Sequence, residues 1–138
     1  NNTIFNTISG IKLNSWKRIT QQINNNSITF GNNSTVDMFG IKLVNSLMGA
    51  INTQIYNNSV IGAVAYSSQN SQYRAIAIEA SIGNDLKCND VRNAYSGLYF
   101  SSNCNPSKTS NNTMTNHKYG FVLEISATNC SNSFPVPP

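Results

Sequence analysis

A four-residue phrase recurs along the chain. It reads Asn25-Asn26-Ser27-Ile28, and it returns as Asn57-Asn58-Ser59-Val60 and Asn111-Asn112-Thr113-Met114. It opens the sequence as Asn1-Asn2-Thr3-Ile4 and stands altered as Cys88-Asn89-Asp90-Val91. Aligned on the last residue, the copies are spaced by 24, 32, 31 and 23 residues. Self-similarity at such a period marks stacked small units, because one unit of this size cannot bury its own hydrophobic face.

A second phrase follows each copy: Gly10-Ile11-Lys12-Leu13, Gly40-Ile41-Lys42-Leu43, Ala75-Ile76-Ala77-Ile78, Gly97-Leu98-Tyr99-Phe100 and Gly120-Phe121-Val122-Leu123. Its apolar residues alternate, and a period of two means strand. Ile11 and Leu13 and their equivalents share one face; Lys12, Lys42, Ala77, Tyr99 and Val122 share the other. Two more columns precede the Asn-Asn phrase: Ile23, Ile55, Leu86 and Thr109 five residues before its last residue, and Ile19, Ile51, Ile82 and Asn105 nine before. Two or three short strands per repeat, with Asn, Gly and Ser between them, describe one turn of a solenoid with turns about 4.8 Å apart. Asn suits the bends, since it tolerates left-handed backbone and its amide can bond to the Asn of the next turn.

The pattern of Asn-Asn-Ser-Ile, then Gly-Ile-x-Leu, then a spaced Ile resembles the right-handed parallel β-helix repeat of pectate lyases, polygalacturonases, alginate epimerases, NosD-like proteins and phage tailspikes. The resemblance covers residues 1–125. It implies an all-β fold, a right-handed parallel β-helix of about five turns with two inserted loops. It implies no particular activity, because the repeated residues are the structural ones. None of the acid, Arg or calcium-ligand signatures of the enzyme branches is present. The other fold open to the sequence is an α+β pilin-like domain, with a helix over residues 15–24.

Composition narrows the partners. Charged residues make up 10% of the chain and hydrophobic ones 39%, so Asn, Ser and Thr supply the polar surface, as in many extracellular repeat proteins. The nine Lys and Arg form no run, which argues against nucleic acid; the net charge of +4 allows weak attraction to anionic glycans. No apolar run is long enough to span a bilayer. The three cysteines include no CxxC, and His117 is the only histidine, so no metal or other cofactor is expected. Cys104–Cys130 would fasten the tail to the last turn; three buried thiols are the alternative. Residues 1–130 read as one β-helix domain and 131–138 as a Pro-rich tail, whose prolines cannot donate to a sheet. The chain opens inside a repeat. It therefore reads as part of a longer solenoid, or as a subunit whose neighbour or second copy covers that end.

The turns differ mainly at one corner. Insertions from Thr29 to Phe39 and from Ile61 to Arg74 fall on neighbouring turns and should emerge side by side. They carry Phe30, Asp37, Phe39, Tyr66, Tyr73 and Arg74, and aromatic rings among polar groups suit sugar rings. The outer face of the Gly-phrase strands adds Lys42 and Tyr99, with Lys12 beside them. β-Helix enzymes bind polysaccharide along such a sheet, and exposed lysines there could hold a uronic acid or sulfate. Arg74 with Asp37 is the one acid–base pairing the loops suggest.

Catalysis finds little support. Glu79 and Glu124 share a column two turns apart, their backbones roughly 10 Å from each other at the β spacing. Inverting glycosidases hold their carboxyls about 6.5–9.5 Å apart, so the match is loose and no catalytic residue is assigned. Asn-x-Ser/Thr sequons occur at Asn1, Asn25, Asn32, Asn33, Asn57, Asn111 and Asn129, and those in the repeat are expected to be partly buried. The expectation is a secreted, cell-surface or virion-surface module that binds polysaccharide or cell-surface glycan, or forms part of a fibre, adhesin or spike. A terminal part of a polysaccharide lyase, hydrolase or epimerase, and a pilus-type subunit, stay open as alternatives.

Overall fold

The computed structural model describes residues 2–7, 9–15, 21–31, 37–45, 53–62, 73–102, 104 and 108–124. These hold fourteen strands and no helix. The first turn contributes β1 (Thr3–Thr7), β2 (Ser9–Asn14) and β3 (Gln21–Asn24). The second has β4 (Ser27–Phe30), β5 (Met38–Val44) and β6 (Thr53–Tyr56), and the third β7 (Ser59–Gly62), β8 (Tyr73–Glu79) and β9 (Asn84–Lys87). The fourth has β10 (Asp90–Arg92), β11 (Ser96–Ser101) and β12 (Lys108–Ser110), and β13 (Thr113–Thr115) and β14 (Tyr119–Leu123) follow.

Each strand pairs with the strand three places on. Sheet A is β1-β4-β7-β10-β13, sheet B is β2-β5-β8-β11-β14 and sheet C is β3-β6-β9-β12. Every pairing is parallel. The chain is a parallel β-helix solenoid. The α+β alternative fails where it was to show itself: Gln21–Asn24, the end of the stretch read as a helix, is β3 in sheet C.

The register reproduces the sequence columns. Ile4, Ile28, Val60, Val91 and Met114 stack in sheet A. Ile23, Ile55, Leu86 and Thr109 stack in sheet C. In sheet B the two columns run Ile11, Ile41, Ile76, Leu98, Phe121 and Leu13, Leu43, Ile78, Phe100, Leu123. Their middle members form one buried core. Of the remaining column, Ile82 is described, and Ile19, Ile51 and Asn105 lie outside the described residues.

Sheet C passes to sheet A through two residues in every described turn: 25–26, 57–58, 88–89 and 111–112. The first of the two has left-handed backbone, with φ of 54° at Asn25, 53° at Asn57, 54° at Cys88 and 51° at Asn111. The second builds a ladder. Asn26 donates its backbone N–H and its Nδ2 to Asn58 Oδ1 (3.1 and 2.9 Å), and Asn58 does the same to Asn89 Oδ1 (3.1 and 2.9 Å). Asn2 and Asn89 extend the series to Asn26 and Asn112. The spare amide hydrogens go to carbonyls of sheet C, such as Asn89 Nδ2 to Ile55 O at 2.8 Å. Asn26, Asn58 and Asn89 are buried, so these bonds satisfy groups that would otherwise be costly to hide.

Sheet B contains a step in its pleat. Gly40 and Ile41 both face inward, as do Ala75 and Ile76. A Cβ on Gly40 would stand 2.3 Å from Val60 Cγ1 and 2.4 Å from Ala75 O; one on Gly10 would stand 2.3 Å from Gly40 O. Glycine thus lets the start of sheet B close onto the sheet A core. The step reverses the alternation, so Met38 and Tyr73 point inward while Phe39 and Arg74 point outward.

The insertions are shorter than the sequence suggested. They occupy 31–37 and 63–72, both between sheet A and sheet B, with 32–36 and 63–72 outside the described residues. Thr29, Phe30, Phe39, Ile61, Tyr73 and Arg74 are strand residues. The cause is burial: Phe30 and Tyr73 are 1% exposed and pack with ring centroids 4.8 Å apart, extending both sheets inward past the expected ends. The 131–138 tail and the 130/131 boundary lie outside the described residues.

Candidate functional site

The outer face of sheet B is set by two facts of the fold, the register and the step in the pleat. Its columns are Ser9, Phe39, Arg74, Ser96, Tyr119; then Lys12, Lys42, Ala77, Tyr99, Val122; then Asn14, Val44, Glu79, Ser101. Glu124 extends the third column, since its N–H donates to Phe100 O just past β14. Side chains that are far apart in sequence therefore meet across turns.

Glu79 lies at the centre. Its Oε1 receives Lys42 Nζ at 2.7 Å and Arg74 Nη1 at 3.5 Å. Lys42 Nζ also sits 4.0 Å from the centre of the Phe39 ring. The Arg74 guanidinium lies 4.0 Å from the Tyr99 ring centre and 6.0 Å from that of Phe39. Ala77, under this layer, has no side chain beyond Cβ and leaves room for the guanidinium. The Tyr99 hydroxyl donates to Glu124 Oε1. Burial, and then this bond to a carboxylate, push the Tyr99 phenol up to about 12. The side chains of Lys42, Arg74 and Glu79 keep 13%, 19% and 21% of their exposure, so solvent still reaches the cluster.

Beyond it, at the corner from sheet A to sheet B, Lys118 Nζ donates to the Tyr95 hydroxyl at 3.1 Å and lies 5.0 and 5.3 Å from the Tyr95 and Tyr119 ring centres. Those rings meet edge to face at 5.5 Å. The contact with Tyr95, and the neighbouring Tyr119, raise the Lys118 ammonium above its usual range. Tyr119 is 46% exposed.

The residues singled out from the sequence divide as follows. Phe39, Lys42, Arg74 and Tyr99 come together on the sheet B face. Tyr73 is in the core beside Phe30, and burial raises its phenol strongly. Asp37 is exposed at the edge of an insertion, and Tyr66 lies outside the described residues. Arg74 pairs with Glu79 on its own strand rather than with Asp37, because the step in the pleat turns Arg74 onto the outer face that Glu79 already occupies. Cys104 is buried, its Sγ 3.5 and 3.4 Å from the carbonyls of Ser101 and Ser102; Cys130, its expected partner, lies outside the described residues. Glu79 as the partner of both cations, Glu124 as the acceptor for Tyr99, and the Tyr95–Lys118–Tyr119 corner were not foreseen as binding groups. The shared column of Glu79 and Glu124 was the available signal.

Glu79 and Glu124 are separated by the Ser101 row. Each carboxylate holds a partner: Lys42 and Arg74 for Glu79, and the Tyr99 hydroxyl for Glu124. Among the described residues no group of three or more His, Cys, Asp or Glu could hold a metal ion, and no helix is long and apolar enough to cross a membrane. A cavity of about 180 Å³ in the last turn is lined by Leu98, Met114 and Phe121 with residues 109–112, and is mainly apolar. Comparison with known families, curated proteins and solved structures found no match.

Proposed function

We propose that the chain is a non-catalytic carbohydrate-binding β-helix that works outside the cell or on a virion surface, and that it takes polysaccharide or cell-surface glycan on the outer face of sheet B. The observation that carries this reading is the chain of contacts Lys42–Glu79–Arg74–Tyr99–Glu124, which spans four turns on a rigid sheet. Sugars present vicinal hydroxyls that both donate and accept. Carboxylates and cations held at fixed spacing match that pattern, and ones that already fix one another's rotamers lose little freedom on binding. The exposed Tyr119 ring, on the same turn as Glu124, offers an apolar platform. Lys12 and the net positive charge favour glycans that carry some acid.

The test is oligosaccharide binding by the folded chain, surveyed on an array and quantified by calorimetry. Arg74→Ala and Glu79→Gln are each expected to weaken binding at least tenfold, about 1.4 kcal/mol. Far-UV circular dichroism of both variants should stay that of the parent. A parent chain that binds no glycan, or variants that bind as tightly as the parent, would sink the reading. Cleavage of polyuronates by the parent chain, lost in Glu79→Gln, would replace it with the enzyme alternative.

A further inference from the structure

The sequon asparagines of the repeat were expected to be partly buried, and the structure reverses this. Asn25, Asn57 and Asn111 are exposed, while the next residue of each pair takes the inner place in the ladder, buried at Asn26 and Asn58 and half-buried at Asn112. Their side chains, and the hydroxyls of Ser27, Ser59 and Thr113 two residues on, make none of the hydrogen bonds found among the described residues. The fourth turn shows that the fold does not need them. Cys88 and Asp90 replace the first and third residues, the left-handed backbone persists, and Asn89 alone keeps the ladder. The corner is thus built by its second residue, and three other turns nonetheless carry a complete Asn-x-Ser/Thr whose asparagine is exposed, its hydroxyl residue exposed at Ser27 and Thr113 and half-buried at Ser59.

We propose that this corner is an acceptor column for N-linked glycan, with Asn111 modified and Asn25 and Asn57 modified only as alternatives. The inference rests on the extracellular location proposed above. Asn111 has a threonine two residues on, which transferases favour over serine, and its neighbour in the turn before is Cys88, which accepts no glycan. Asn25 and Asn57 stand on adjacent rungs: Asn25 N–H donates to Tyr56 O, the residue before Asn57. Rungs are about 4.8 Å apart, narrower than a pyranose with its hydration, so two glycans do not fit side by side.

The experiment is secretion of the full chain from a eukaryotic host, followed by peptide mapping and intact mass with and without peptide N-glycosidase. Asn111 should carry an oligosaccharide that is lost in both Asn111→Gln and Thr113→Ala, the latter leaving the asparagine in place. No molecule should carry glycan at Asn25 and Asn57 together. A folded, secreted chain with unmodified Asn111 overturns the proposal, and so do molecules doubly modified at Asn25 and Asn57. Glycan binding by protein from a non-glycosylating host tests the binding face separately, so either reading can fail alone.

Discussion

Two corners of the same solenoid follow opposite rules. The passage from sheet C to sheet A takes two residues in every described turn. The passage from sheet A to sheet B takes residues 31–37 in the second turn, 63–72 in the third, and three residues, 93–95 and 116–118, in the fourth and fifth. The difference lies in where the hydrogen bonds go. At the first corner the amides of Asn58 and Asn89 are buried and bonded both to the turn beside them and to a strand of sheet C, so one extra residue would break a continuous series. At the second corner no buried Asn series fixes the length, and added residues cost only slowly growing loop entropy. The uniform corner is the one with the buried ladder; at the variable corner Asn93 and Asn116 each bond to the turn before, nearer the surface.

Matched insertions should break the comparison most sharply. Gly-Ser placed between Asn57 and Asn58 should abolish cooperative unfolding. The same insertion between Gly31 and Asn32 should lower stability by only a few tenths of a kcal/mol, roughly the loop-closure increment. Urea denaturation followed by circular dichroism distinguishes the two, and equal effects would refute the ladder as the organising constraint.

Single substitutions within one dipeptide sharpen it further. Asn58→Ala should cost about 3 kcal/mol or more, since the N–H of Asn26, the Oδ1 of Asn89 and the carbonyl of Ile23 all lose a partner in the interior. Asn57→Ala should cost about 1 kcal/mol, the strain of left-handed backbone, and Cys88 shows that the site accepts another side chain. Midpoints of chemical denaturation read both. Similar losses would mean that conformation at the bend, and not the ladder, dominates.

The smallest effect concerns the face that the variable corner borders. The Tyr99 phenol ionises near 10 in the unfolded chain and at about 12 when folded. Its contribution to stability is therefore complete below pH 10 and is lost as pH rises toward 12, because there the unfolded state has released a proton that the folded state keeps. Tyr99→Phe should flatten the alkaline fall in stability between pH 10 and 12, and an unchanged slope would show that Tyr99 does not carry it.

The sequence by itself pointed to the solenoid, and strand pairing at Gln21–Asn24 removed the α+β alternative. Period-two alternation, a repeated Asn-Asn bend and columns such as Ile28, Val60 and Val91 favoured parallel stacking and fixed its register, because a one-residue slip would expose every apolar side chain. It also placed Lys12, Lys42, Ala77 and Tyr99 in one column, and Glu79 and Glu124 in another. Only the tertiary structure decided which way the neighbouring residues face. Strict alternation from Lys42 would send Phe39 inward and Met38 outward; the glycine step, forced by the approach of Gly40 to Val60, inverts both. The same step places Arg74 against Glu79 and Tyr99, and the inward reach of Phe30 and Tyr73 shortens the insertions. The two asparagines of each bend divide their tasks for a similar reason. Composition treats them alike, but backbone handedness turns one to solvent and one to the core, and only stacked turns give the buried one its partner.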